Sequence, residues 1–188
     1  MTHTVVPIIS VLRSVPPAAK TTLRRTLRNT LAKIPKRRLA QVLGRCDLEF
    51  SLGIHIVGAQ RMRRLNYRFR KHDRTTDVLS FPQLVKHMEP FSGHVGDALI
   101  CWPVARAQAR RLGVPLQQQL CYLATHGLLH LFGYDHERGE REARSMFALQ
   151  DSILQSTIRE SLRPGPFGQP PARATGLPGR SKGRPRKR

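Results

Sequence analysis

Residues 124 to 137, ATHGLLHLFGYDHE, put three histidines into an otherwise apolar run. The run sits in a segment that Pro115 opens as a helix and that Gly133 stops just beyond Leu131. On a helix, positions four apart are separated by about 400° of turn and about 6 Å of rise, so His126 and His130 leave the same face one above the other. Gly133 permits a sharp reversal that brings His136 back toward the pair. Three neutral ring nitrogens can then hold one zinc ion at about 2.0–2.1 Å each and leave a fourth position for water, the arrangement of a catalytic rather than a structural site. A single buried histidine is usually a core group with a partner. The full H-x3-H-x5-H set is read as a metal site.

The same intervals occur in zinc proteases of the H-E-x-x-H-x-x-G-x-x-H type, and position 127 separates the two classes. Those proteases need a glutamate after the first histidine as general base on the activated water. Here the residue is Gly127, which cannot move a proton. Asp135 and Glu137 flank His136 and read as capping or supporting groups. Ser80 and Cys101 lie in strand-like runs without a base at a telling interval, and Gly-rich phosphate loops are absent.

Charge points to a polyanionic partner. The chain carries 33 Lys and Arg against 12 Asp and Glu, for a net charge of +21. Residues 1–46 hold 10 of the basic residues and residues 161–188 hold 8, with no acid in either flank; the remaining 15 basic residues face all 12 acids. Basic flanks of this kind favour phosphate contacts, whose affinity falls steeply with salt. No apolar run approaches the ~20 residues that span a bilayer. Cys46, Cys101 and Cys121 form no C-x-x-C pair and read as thiols of a reducing, cytoplasmic compartment, with organellar import of the Arg-rich start as the minor alternative.

Periodicity predicts a strand over 5–12, an amphipathic helix over 18–34 with a Leu23, Leu27, Leu31, Ile34 stripe, and a short basic helix ending near Leu43. A strand over 50–57, a helix over 60–69 and a loop over 70–76 follow. Strands are expected over 77–81 and 97–102, with a loop over 83–94 between them. Helices are expected over 104–112, 115–131 and 140–162. The interleaving implies an α+β single domain, with a small mixed, mostly parallel sheet flanked by helices and the metal site on a helix and the turn after it. Three regions result: a basic N-terminal segment, 1–46, packed on the core; a metal-dependent catalytic core, 47–160; and a basic tail, 161–188. In the tail 11 residues are Pro or Gly, a composition that reads as disordered.

HGLLHLFGYDH at 126–136, TDVLSFP at 76–82 and VGDALIC at 95–101 together resemble the YbeY family of zinc-dependent endoribonucleases involved in ribosomal RNA maturation. The three blocks come in that family's order, and the resemblance covers about residues 50–155. It implies one zinc ion per chain on His126, His130 and His136. It also implies a functional arginine before the TDVLSFP strand, where FRKHD at 69–73 supplies Arg70. A guanidinium suits that role, because phosphodiester cleavage builds charge on the non-bridging oxygens that a bidentate pair of hydrogen bonds can meet. Arg70, Lys71 and Arg74, in the basic stretch RMRRLNYRFRKHDR, are the expected RNA-backbone contacts. The sequence departs from the family pattern at Phe69, where Tyr is common, at Thr75, where Pro is usual, and at Gln150, where a glutamate is often found.

The reading implied is a cytoplasmic, metal-dependent endoribonuclease of the single-strand type, acting in ribosomal RNA maturation and ribosome quality control. Its partners would be ribosomal RNA and the ribosome or ribosomal proteins, with no membrane. Water activated at the ion would attack phosphorus while Arg70 shares the charge, and a substrate phosphate oxygen would take the proton. Two rival readings are a non-catalytic ribosome-assembly factor stapled by zinc and, with less support, a zincin-like peptidase.

Overall fold

The computed structural model describes residues 17–43, 50–83 and 94–161. The elements run α1 (Pro17–Lys33), α2 (Lys36–Leu43), β1 (Ser51–Val57), α3 (Ala59–Arg70), β2 (Val78–Pro82), β3 (His94–Cys101), α4 (Trp102–Leu112), α5 (Leu116–Leu131) and α6 (Glu140–Ser161). The expected strand over 5–12, most of the expected loop over 83–94 and the tail beyond Ser161 lie outside the described residues.

The sheet has the order β1-β3-β2. β3 lies parallel to β1, with Ile54 opposite Ala98 and Val57 opposite Cys101. It lies antiparallel to β2, with Leu79 opposite Leu99. The sheet is therefore mixed, as expected for α+β, and one of its two described pairings is parallel. β3 begins three residues earlier than expected because a central strand finds ladder partners on both sides. It ends at Cys101, where Trp102 opens α4 with Pro103 in the first turn, a position at which the missing N–H costs nothing. Pro82 closes β2 on the sheet edge, where proline is tolerated.

One face of the sheet is covered by α5, which also packs on α1, α4 and α6. Ten of its sixteen residues are buried, among them Leu120, Leu123, Leu128 and Leu129. A helix buried on nearly every side needs neighbours all round, and the N-terminal helix supplies one of them: Leu23, Leu27, Leu31 and Ile34 are all buried against this core. α1 is thus a structural part of the core. Its buried Thr26 and Thr30 hydroxyls donate to the carbonyls four residues back, which satisfies polar groups in an apolar contact.

α5 lies close against the sheet at Gly127. A Cβ there would lie 2.9 Å from Ala98 Cβ, 3.1 Å from Val78 Cγ2 and 3.3 Å from Ser80 Oγ. Ser80 Oγ uses the close approach to donate to the Gly127 carbonyl at 3.0 Å. The absence of a side chain at 127 is a packing requirement, and its Cα–H side faces β2 and β3. On the other face of the sheet, Val57, Met62, Leu79, Leu99 and Cys101 form a smaller cluster under α3.

Candidate metal centre

His126 and His130 project from the last turns of α5. The helix stops at Phe132 and the chain reverses at Gly133, where φ is +75°, a value that glycine adopts without strain. The reversal carries His136 back over the helix end. The three ring centroids lie 4.8, 5.1 and 5.2 Å apart. Among the described residues these histidines form a group whose ligand atoms all fall within 4.8 Å of one another.

Nε2 of His126 and Nε2 of His130 are 3.2 Å apart. Two nitrogens each about 2.0–2.1 Å from one tetrahedral ion are separated by about 3.3 Å, so this pair already has the spacing of two ligands. Nδ1 of His126 lies 3.0 Å from Oε1 of Gln150 on α6. An amide oxygen only accepts, so Nδ1 carries the proton and Nε2 presents its lone pair to the cluster. Burial pushes the His130 imidazole down to about 4, helped by neighbouring His126 and His136. Burial lowers His126 as well. Both rings are therefore neutral near pH 7, the protonation state a metal requires. Geometry, tautomer and charge state all fit a divalent cation.

Aromatic rings hold the cluster laterally. Phe147 on α6 stacks on His136 at 5.5 Å between centroids and on His126 at 6.4 Å. Tyr122, one turn before His126 on α5, also stacks on it at 6.4 Å. From the sequence, Gln150 is named only as the place of the family's frequent glutamate, without a role, and Phe147 is not named. The available signal was a polar residue on the buried stripe of α6, since Gln150 stands between buried Met146 and Ile153.

The histidines line one wall of an open cleft of about 540 Å³, within the range of small-ligand sites. Arg70, Asp77, Ser80, Pro82, Asp135 and Glu137 also line it. Arg70 Nη1 stands 3.7 Å from Glu137 Oε1 across the opening. Asp135 accepts from the Glu137 N–H at 3.0 Å and from Arg138 Nε at 3.0 Å, so it caps the histidine turn, as expected. Asp77 accepts from Gln108 Nε2 and from the Val78 N–H, both at 2.9 Å.

Arg70 reaches this place because the end of α3 is firmly tied. Lys71 caps the helix in a left-handed conformation, its N–H bonded to the Tyr67 carbonyl. Asn66, buried, donates to the Arg74 carbonyl at 2.8 Å, and Arg63 grips Asp73 through two hydrogen bonds of 2.7 and 2.6 Å. The structure therefore brings Arg70 together with His126, His130 and His136. Lys71 and Arg74 are exposed on the loop beyond and are not on the cleft wall.

Comparison with known proteins gives the family. A family model described as Endoribonuclease YbeY matches residues 18–158. That span includes α1 and α2, so the likeness extends well before the region from residue 50 that the motifs alone delimit. The chain is 35% identical to the Endoribonuclease YbeY of Persephonella marina over 130 residues, which covers 69% of this chain and 85% of that protein. It is 34% identical to the Endoribonuclease YbeY of Oenococcus oeni over 137 residues, covering 70% and 90%. With the protein of the same name from Sulfurihydrogenibium sp. it shares 42% identity over 113 residues, covering 58% and 71%. The chain belongs to the endoribonuclease YbeY family.

Proposed function

We propose that this protein is a zinc-dependent endoribonuclease that cuts single-stranded RNA in ribosomal RNA maturation and ribosome quality control, with the ribosome as its partner. The observation that carries the reading is the convergence of three imidazoles, with His126 and His130 neutral, on one point of a cleft that Arg70 also lines. Its relatives' name supports the reaction class. Cys101 and Cys121, both buried and unpaired by disulfide, suit action in the reducing cytoplasm.

His126, His130 and His136 would hold one ion, and zinc in such a site supplies Lewis acidity to a phosphoryl oxygen and to water. The rest of the work falls to the chain itself. Gln150 keeps the His126 lone pair turned inward. Arg70 binds the non-bridging oxygens of the scissile phosphate, exchanging the 3.7 Å approach to Glu137 for a bidentate contact. Asp77 and Asp135 already accept from named donors, and Glu137 faces Arg70. In this reading the proton released by the attacking group goes to a substrate phosphate oxygen, with Asp77 and Asp135 held by their donors and Glu137 the one carboxylate of the lining freed when Arg70 turns to the phosphate. Lys71 and Arg74 continue the cationic surface outward from Arg70 and would contact neighbouring phosphates.

The peptidase alternative would need a base at 127, where a side chain meets Ala98 and Val78 instead of the ion. The deciding experiment pairs metal analysis with cleavage of a structured RNA containing single-stranded loops, using wild type, His130→Ala and Arg70→Ala. Zinc near one equivalent in wild type and Arg70→Ala, with cleavage lost in both variants and RNA binding kept, is the expected result. Cleavage retained by Arg70→Ala or by His130→Ala would exclude catalysis at this site.

A further inference from the structure

Two aromatic side chains, exposed Phe69 and half-buried Phe81, lie behind the β2 wall of the cleft. Phe69 is 55% exposed, and it meets Phe81 edge to face, with centroids 4.9 Å apart and planes at 68°. Scattered exposed apolar residues are ordinary, but rings in contact beside a functional cleft are a different matter. Each ring is one residue from a cleft-lining group: Phe69 precedes Arg70, and Phe81 precedes Pro82. Along a strand successive side chains point to opposite faces. On β2, Val78, Ser80 and Pro82 serve the cleft, while Leu79 packs in the cluster under α3 with Phe81 against its rim. β2 is an edge of the described sheet, so a chain leaving the cleft over that edge arrives at the phenylalanine pair.

Charge defines the occupant. The Arg68 guanidinium lies 5.5 Å from the centre of the Phe69 ring. Arg61, Arg64, Arg68, Arg70 and Lys71 are all exposed along α3 and its cap, and the nearby acid Asp73 is engaged by Arg63. An apolar ring set in a cationic surface matches a nucleobase with its attached phosphate, because bases stack on aromatic faces while arginines take the backbone. We propose that Phe69 and Phe81 form a base-stacking platform, on the far side of edge strand β2, for the unpaired nucleotide next to the phosphate held at the metal cleft. The platform rests on the endoribonuclease reading for its substrate. It adds a physical reason for single-strand preference, since a paired base is already stacked in its helix and cannot turn onto the rings.

Binding separates the platform from the chemistry. Full-length protein stripped of metal with a chelator is titrated with a short single-stranded RNA carrying 2-aminopurine, and with a duplex of the same length. Phe69→Ala, a change at an exposed position, is expected to weaken single-strand binding about tenfold or more and to restore 2-aminopurine fluorescence. Duplex binding and its salt dependence should stay within about twofold of wild type. Phe69→Trp should recover the single-strand affinity. Phe69→Ala binding single strands as wild type does, equal losses for single strand and duplex, or wild type failing to bind single strands at all would each overturn the platform. Loss of binding in Phe69→Ala together with a metal-loaded wild type that cleaves no RNA would uphold the platform while removing the endoribonuclease reading.

Discussion

Gln150 Oε1 accepts the Nδ1–H of His126 at 3.0 Å, from a helix whose contact residue lies 24 positions later in the chain. The amide is buried, and its Nε2 finds no partner among the described residues. A buried donor left in that state costs about 1–3 kcal/mol, so the position gives up stability while it orients a ligand. Replacing Gln150 by Leu removes both the orphan donor and the acceptor. The Leu variant is expected to fold with thermal stability close to wild type, because the orphan Nε2–H is exchanged for an unpaired Nδ1–H on His126, and to lose about 10- to 100-fold in zinc affinity, read by competition with a chromogenic chelator. Nitrogen NMR of the His126 ring should show the loss of the fixed Nδ1–H tautomer. Unchanged affinity and an unchanged tautomer would remove the orienting role.

Gly127 leaves no room for a side chain between α5 and the sheet. In an open helix, Gly→Ala stabilises by about 0.8–1.0 kcal/mol. Here the new methyl would meet Ala98 Cβ at 2.9 Å and Val78 Cγ2 at 3.1 Å, and overpacking of this kind costs about 1–3 kcal/mol. Gly127→Ala should therefore be destabilised by roughly 0–2 kcal/mol in urea, and not stabilised as in an open helix. Gly127→Glu should fail to fold. A stable, active Gly127→Glu protein would contradict the packing described.

What the sequence makes legible follows the range of the interactions. The histidine cluster is local: two of the rings share a helical face and the third follows one glycine turn, so spacing alone announces it. Helix limits came within one or two residues of expectation because Pro35, Pro103, Pro115 and Gly133 punctuate the chain. The order β1-β3-β2 is not encoded in any short stretch, because it arises from pairing between strands far apart in sequence. Gln150 escaped assignment for the same reason, its partner lying on another helix. Lys71 and Arg74 share Arg70's charge but not its position. Only the left-handed turn at Lys71 and the Asn66 bond to the Arg74 carbonyl separate the residue on the cleft wall from its neighbours.

Arg70 should be a chemical rather than a structural residue. Its side chain is 51% exposed and its ion pair with Glu137 spans 3.7 Å, a type worth about 0–1 kcal/mol. Arg70→Lys keeps the charge and loses the planar fork. The expected outcome is a melting temperature within error of wild type, and a kcat reduced about 100-fold or more. Glu137→Gln should act in the opposite sense on binding, since it frees the guanidinium for phosphate. A lower KM for RNA is expected, most clearly at low salt.

Acid should destabilise the metal-free protein through the histidine pair. Burial lowers His126 and takes His130 from its ordinary 6.5 to about 4, so below pH 6.5 the unfolded chain binds more protons than the folded one. Stability then rises with pH wherever the unfolded state is the more protonated. The contribution of His130 is complete above about pH 6.5 and is lost as pH falls toward about 4. Below that both states carry the proton and the dependence levels off. Urea unfolding of chelator-treated protein between pH 4 and 7 should show this slope, and His130→Ala should flatten it. Bound zinc steepens the loss, because each proton that enters a ligand nitrogen competes with the ion. The zinc-loaded and stripped proteins should therefore converge in stability toward pH 4 and diverge toward pH 7. A stripped protein whose stability is flat across that window would mean that the imidazoles are already solvated, and the half-buried convergence on one cation would have to be given up.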